Sequence, residues 1–93
     1  MDLKDYVRAI PDFPVPGILF RDITPLLKDP AAFRHTSLQL GERISHLEVD
    51  AVVGIEARGF LFAAPLAHHL GKALIPVRKA GKLPGETHNA TYS

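Results

Sequence analysis

The sequence predicts an α/β fold from three observations. Two short apolar runs, Ala51–Ile55 and Ala73–Val77, have the length and β-branched content of strands. Between them, Phe60, Leu61, Phe62, Ala63, Leu66, Ala67 and Leu70 form a helix-length segment that is apolar on nearly every side, as a helix buried against a sheet would be. Elsewhere, Thr24-Pro25 and Asp29-Pro30 each set a capping residue before a proline, which marks the start of a helix. Strand, helix and strand then make a βαβ unit with its two strands parallel.

The other elements follow in chain order. Leu3, Tyr6, Val7 and Ile10 recur at spacings of three and four, which predicts a helix near residues 3–9, capped by Asp2 and stopped by Pro11. Pro11, Pro14 and Pro16 remove donors and fix φ, so residues 11–23 should form a stiff extended arm. Phe13 and Val15 give that arm something to bury. Phe20 reads either as a core plug or as a ring that stacks on a planar ligand. The helix opened by Asp29 should run over residues 30–46. Phe33, Leu40, Ile44 and Leu47 line one face of it, and Arg34, Gln39, Glu42 and Arg43 face solvent. The apolar helix should cover residues 59–70, with Gly71 ending it in a left-handed conformation. Pro76 lacks a ladder donor, so it should sit at a strand end or edge. Residues 80–93, punctuated by glycine and proline, read as a mobile loop.

Composition narrows the function classes. The chain has 93 residues, is 46% hydrophobic and 23% charged, and carries a net charge of +1. That length limits it to one domain. No apolar run approaches the ~20 residues of a membrane span. The first residues lack a signal-peptide core. The chain has no cysteine, hence neither a disulfide framework nor a thiolate metal site. A cytoplasmic location is expected, with no nucleic-acid or membrane partner. Charge is distributed unevenly. No acid falls between Glu56 and Glu86, while Lys72, Arg78, Lys79 and Lys82 fall within eleven residues. A small polyanion would suit that stretch.

The chemistry is expected where the first strand hands over to the helix, at Glu56, Ala57 and Arg58. Open α/β sheets bind ligands at the carboxyl ends of their strands. Helix N–H groups and dipole favour an anion there, and the Arg58 guanidinium matches phosphate geometry. A solvated turn with Arg58 paired to Glu56 is the alternative. Parallel strands bring Arg78 and Lys79 to the same edge, so Arg58, Arg78 and Lys79 should converge. Adjacent His68 and His69 point about 100° apart on a helix and make a poor metal pair. No residue pattern here provides a nucleophile elbow, a P-loop or a dinucleotide fingerprint.

Three stretches resemble one known family, the adenine phosphoribosyltransferases of the type I phosphoribosyltransferase class. Phe13-Pro14-Val15-Pro16-Gly17-Ile18-Leu19-Phe20-Arg21-Asp22-Ile23-Thr24-Pro25-Leu26-Leu27 is similar to their amino-terminal signature. Val53-Gly54-Ile55-Glu56-Ala57-Arg58-Gly59-Phe60 resembles their pyrophosphate loop. Pro76-Val77-Arg78-Lys79-Ala80-Gly81-Lys82-Leu83-Pro84-Gly85-Glu86-Thr87 resembles the start of their flexible catalytic loop. Ala63 departs from the pattern, which has glycine there, and its methyl should crowd the helix mildly.

The resemblance implies an incomplete phosphoribosyltransferase-like, Rossmann-like parallel sheet corresponding to the amino-terminal half of the family domain. Residues 1–29 would be the base-binding arm or hood, 30–79 the helix and βαβ part of the core, and 80–93 the start of the catalytic loop. It implies transfer of ribose 5-phosphate from phosphoribosyl pyrophosphate to adenine, giving AMP and pyrophosphate, as in purine salvage. Phe20 would stack on adenine, with Leu19 and Arg21 giving backbone contacts to its edge. Glu56, Ala57, Arg58 and Lys79 would hold pyrophosphate, the Glu56–Ala57 peptide being cis. Arg78 would reach a neighbouring site across a homodimer interface. Mg²⁺ would be carried by phosphoribosyl pyrophosphate, with no protein metal site. The family's general acid and 5-phosphate loop are expected beyond Ser93, so no catalytic residue is assigned here and the chain should be inactive alone. The alternative is a non-catalytic remnant with weak ligand or partner binding. Either way, two strands make a poor sheet, so apolar residues along Ala51–Ile55 or 60–70 should be unusually exposed.

Overall fold

A computed structural model describes residues 1–81 and Pro84. In chain order, a 3₁₀ turn (Leu3–Tyr6) leads to β1 (Arg8–Pro11), β2 (Leu19–Asp22), α1 (Thr24–Lys28), α2 (Pro30–Arg43), β3 (Ala51–Ile55), α3 (Arg58–Leu70) and β4 (Ala73–Val77). The chain divides into two compact units, Met1–Arg43 and the residues from Ile44 onward. The expected loop over 80–93 lies almost wholly outside the described residues.

In the first unit, β1 and β2 pair antiparallel, with Ile10 opposite Phe20 and Arg8 opposite Asp22. This corrects two expectations. Residues 3–9 are not one α-helix: Asp2 does cap a turn, its carboxylate accepting from the Lys4 N–H at 3.0 Å, but the turn ends at Tyr6. So short a helix gains little on its own, and pairing with β2 captures Arg8–Pro11 as a strand. Nor is the arm at 11–23 extended throughout: Pro11 and Leu19–Asp22 are strand, and the chain between them bends and turns to close a hairpin. Pro11 takes the last position of β1, where a missing donor disturbs the ladder least.

Asp29 caps α2 as expected, accepting from the N–H groups of Ala31 and Ala32 at 2.9 and 3.1 Å. The helix stops at Arg43 instead of continuing to 46, and the chain turns with Leu47 N–H donating to the Ile44 carbonyl at 2.9 Å. Its buried residues are Ala32 and Gly41, while Phe33 and Leu40 are half-buried and Leu47 is exposed. The most buried positions of α2 are thus small residues, and the helix packs on α1, whose Leu26 is buried.

In the second unit, β3 and β4 pair parallel from Ala51 opposite Ala73 to Ile55 opposite Val77, as the sequence predicts. Glu56 N–H donates to the Val77 carbonyl at 2.9 Å. Ala73, Ile75 and Val77 therefore turn their backbone groups to β3, and the donorless nitrogen of Pro76 faces the outer edge. Helix α3 packs on both strands through Ala63 and Ala67, one turn apart and both buried. Gly54 lies under this face: a methyl built on it would stand 2.8 Å from Ala63 Cβ. The bare backbone of Gly54 thereby accommodates the Ala63 methyl. Gly71 ends α3 with φ +66°, its N–H bonded to the His68 carbonyl and that of Lys72 to the Ala67 carbonyl.

The sheet is poorly covered, as expected for two strands. Val53 and Ile55 expose 56% and 52% of their surface and Ile75 49%. The exposure extends along all of β4.

Candidate functional site

The hairpin of the first unit positions Leu19, Phe20 and Arg21. Alternation along β2 turns Phe20 and Asp22 inward and leaves Leu19 and Arg21 exposed. Phe20 is half-buried, and the edge of the Phe13 ring meets it at a centroid distance of 5.2 Å and an angle of 70°. The loop carrying Phe13 is tied down. Asp12, at φ +56°, accepts from the Gly17 N–H through its carboxylate at 2.9 Å, and Phe13 N–H donates to the Ile18 carbonyl at 3.1 Å. Gly17, at φ +87°, takes a conformation that few other residues adopt, and the Phe13–Pro14 peptide is cis. Sequence reasoning gave Phe13 a packing role but did not place it against Phe20. Only the hairpin register brings them together.

The base of the hairpin carries an ion pair that the sequence did not announce. Arg8 Nη2 lies 2.5 Å from Asp22 Oδ2, and the other oxygen of Asp22 accepts from the N–H and hydroxyl of Thr24 at 3.0 and 2.8 Å. Asp22 is 8% exposed. The Thr24 N–H, the Thr24 hydroxyl and the Arg8 guanidinium, in that order of effect, hold its carboxyl below the ordinary aspartate range. This ties β1, β2 and the start of α1 together beside Phe20.

The second unit builds the turn between β3 and α3. The Glu56–Ala57 peptide is cis, as the family resemblance implies. Ala57 precedes α3 and has no side chain to cap it, and Arg58 is the first residue of the helix. The parallel register carries the end of β4 to this turn. Glu56 Oε1 accepts from the Lys79 backbone N–H and lies 3.8 Å from Arg78 Nε. The Arg78 guanidinium also sits over the Phe60 ring, 5.9 Å from its centroid. The backbone thus brings Glu56, Ala57, Arg58, Arg78 and Lys79 to one edge of the sheet. Chemically it is a helix N-terminus flanked by cationic residues, with a carboxylate among them. Phe60 is the neighbour sequence reasoning missed, since it was read only as core.

Among the described residues, no cluster of three or more His, Asp or Glu side chains could hold a metal ion, and no helix is long and apolar enough to cross a membrane.

Comparison with known proteins gives a consistent result. No family model matches the chain. A protein of Synechococcus named adenine phosphoribosyltransferase is 58% identical over 92 residues, 99% of this chain and 54% of its own length. One of Carboxydothermus hydrogenoformans, with the same name, is 56% identical over the same shares. The chain therefore spans about half the length of the curated relatives it matches. A crystal structure of adenine phosphoribosyltransferase from Thermoanaerobacter pseudethanolicus superposes with a TM-score of 0.93 at 50% identity, covering 97% of this chain and 54% of that one. The Saccharomyces cerevisiae enzyme, solved with adenine and D-2,5-dideoxy-2,5-imino-altritol 1,6-bisphosphate, gives 0.86 at 45% identity, covering 96% and 55%. In sequence and in fold, over almost its whole length, this chain is similar to about half the length of proteins named adenine phosphoribosyltransferase.

Proposed function

We propose that this chain carries the base-binding arm and the pyrophosphate edge of an adenine phosphoribosyltransferase. The reaction transfers ribose 5-phosphate from phosphoribosyl pyrophosphate to adenine and yields AMP and pyrophosphate. The observation that carries this reading is an identity of 58% over 99% of the chain to a protein of that name.

The first unit would hold the base. The Phe20 ring supplies the stacking face, with Phe13 set against it, and the backbone at Leu19 and Arg21 supplies donors and acceptors for the purine edge. The second unit would hold the leaving group. As the bond to pyrophosphate breaks, negative charge builds on its oxygens, and donors already aimed there lower the barrier. The N–H groups at Ala57 and the first turn of α3, with Arg58 and Lys79, are those donors in this reading. Mg²⁺ bound to phosphoribosyl pyrophosphate supplies further neutralisation. In the reading from resemblance, Arg78 reaches the site of a second copy in a homodimer. Within this chain its guanidinium already faces Glu56 and Phe60, so that reach requires leaving both. A cytoplasmic location completes the proposal.

A second reading, a non-catalytic domain that binds these ligands weakly, is favoured by the exposed apolar side chains of β3 and β4. Turnover separates the two. The 93-residue chain, mixed with labelled adenine and phosphoribosyl pyrophosphate, is expected to form no AMP above background. Adenine should nevertheless shift the NMR signals of Phe20 and Leu19, and pyrophosphate those of the amides at 56–59. Ligand-induced shifts confined to other residues would refute the assignment of both parts.

A further inference from the structure

The carboxylate of Glu56 stands at an edge read above as anion-binding, where a fixed negative charge is out of place. Its contacts explain it. One oxygen, Oε1, accepts the Lys79 backbone N–H and faces Arg78 Nε at 3.8 Å. The Glu56 backbone is held as well, its N–H donating to the Val77 carbonyl. The Glu56 side chain is only 16% exposed, while its partners Arg78 and Lys79 lie at the surface, open to an incoming ligand. Lys79 has one backbone N–H to give, and it points at Glu56.

We propose that the Glu56 carboxylate is an internal stand-in for a phosphate group. It holds the segment after β4 against the β3–α3 turn and competes with pyrophosphate for the Lys79 N–H. This rests on the pyrophosphate reading and changes one part of it: the Glu56 side chain is a positioning group that yields to the ligand, while its backbone remains in the binding loop. The consequence is an exchange. In the ligand-free chain the carboxylate takes up the Lys79 N–H, so the segment after β4 is held in place without a ligand. An arriving phosphate oxygen takes the Lys79 N–H and displaces a like charge.

Glu56→Gln tests this, because the amide oxygen can still accept the Lys79 N–H while the charge is gone. Inorganic pyrophosphate is titrated into the 93-residue chain and into the variant, following ¹H–¹⁵N spectra. The Lys79 amide should keep its solvent protection in the variant, which reports an intact segment. Pyrophosphate should bind the variant about fivefold or more tightly, the factor that one unit charge about 4 Å away makes even at the dielectric of bulk water. The Lys79 amide should move on binding in both chains. Equal or weaker binding by Glu56→Gln, with the amide still protected, overturns the exchange while leaving the pyrophosphate reading in place. Saturable binding that leaves the Lys79 amide unmoved also overturns it. Absence of binding by either chain overturns both. Should Glu56→Gln lose the amide protection, Glu56→Asp decides: with the carboxylate retained but drawn back by one methylene, it should also bind pyrophosphate more tightly than Glu56, and unchanged affinity overturns the proposal.

Discussion

Gly54 of β3 lies against Ala63 of α3 with no room for a side chain, and changing the pair tests the core of the second unit. A methyl on Gly54 would lie 2.8 Å from Ala63 Cβ, 3.3 Å from Phe60 Cδ1 and 3.4 Å from the Gly59 carbonyl oxygen. The first distance is roughly 0.7 Å short of the ~3.5 Å at which carbon atoms pack best. Neither methyl can swing aside, since both are fixed to backbone. Strand and helix must therefore separate, and Gly54→Ala should cost about 1–3 kcal/mol. Ala63→Gly should cost roughly 1–2 kcal/mol, about 1 from helix propensity and up to about 0.8 from the lost methyl. The two together should not add. With Ala63 shortened, the new methyl on residue 54 has space, and the double variant should be about 1–2 kcal/mol more stable than the sum predicts. Urea unfolding followed by circular dichroism measures all three. A Gly54→Ala chain as stable as the parent, or strict additivity in the double variant, would refute the packing argument.

Three further outcomes follow from the caps and the hairpin. Asp29→Ala removes two hydrogen bonds at the start of α2 and should lower stability by about 1 kcal/mol, with Asp29→Asn close to neutral, in the same urea experiment. Gly71→Ala forces a methyl into φ +66° and should cost about 1 kcal/mol, whereas an equivalent change at Gly59, in the first turn of α3, has no such strain. Because the folded state holds the Asp22 carboxyl below its ordinary pKa, its contribution is complete above the ordinary aspartate range. It is lost as pH falls through the lowered folded value. Asp22→Asn should be less stable at neutral pH and should lose less stability on acidification than the parent, and parallel acid profiles would contradict this.

The parts of the fold that were legible in the sequence are those set by local chemistry. Ala51–Ile55 and Ala73–Val77 read as strands because a short β-branched run has few other uses, and their bounds agree with the structure. Asp29 and Gly71 mark helix ends through side-chain and backbone properties that act within one turn. What was missed depends on distant pairing. Leu3, Tyr6, Val7 and Ile10 match a helical spacing, but Ile10 finds Phe20 across a hairpin, and that contact outweighs seven residues of weak periodicity. Arg8 with Asp22 and Phe13 with Phe20 are invisible until that register is known. The site divides in the same way. The turn at Glu56, Ala57 and Arg58 could be read from a strand running into a helix, and the parallel rule brought Arg78 and Lys79 beside it. That the Glu56 side chain reaches the Lys79 N–H, and that Phe60 lies under Arg78, depends on side-chain placement that no local pattern encodes. From sequence the Ala63 methyl predicts mild crowding, because nothing local shows that the bare backbone of Gly54 lies opposite it.

The central claim is that these residues supply working base and pyrophosphate contacts of an adenine phosphoribosyltransferase. A chimera tests it most directly: residues 1–93 replace the matching part of the full-length Synechococcus relative, to which they are 58% identical. Formation of AMP from adenine and phosphoribosyl pyrophosphate is then measured with and without Arg58→Ala. The account predicts an active chimera whose kcat/KM for phosphoribosyl pyrophosphate falls by a factor of tens in the variant, since a charge-assisted contact is worth about 1.5–3 kcal/mol. A folded chimera without activity, or an Arg58→Ala variant with unchanged kinetics, would contradict it.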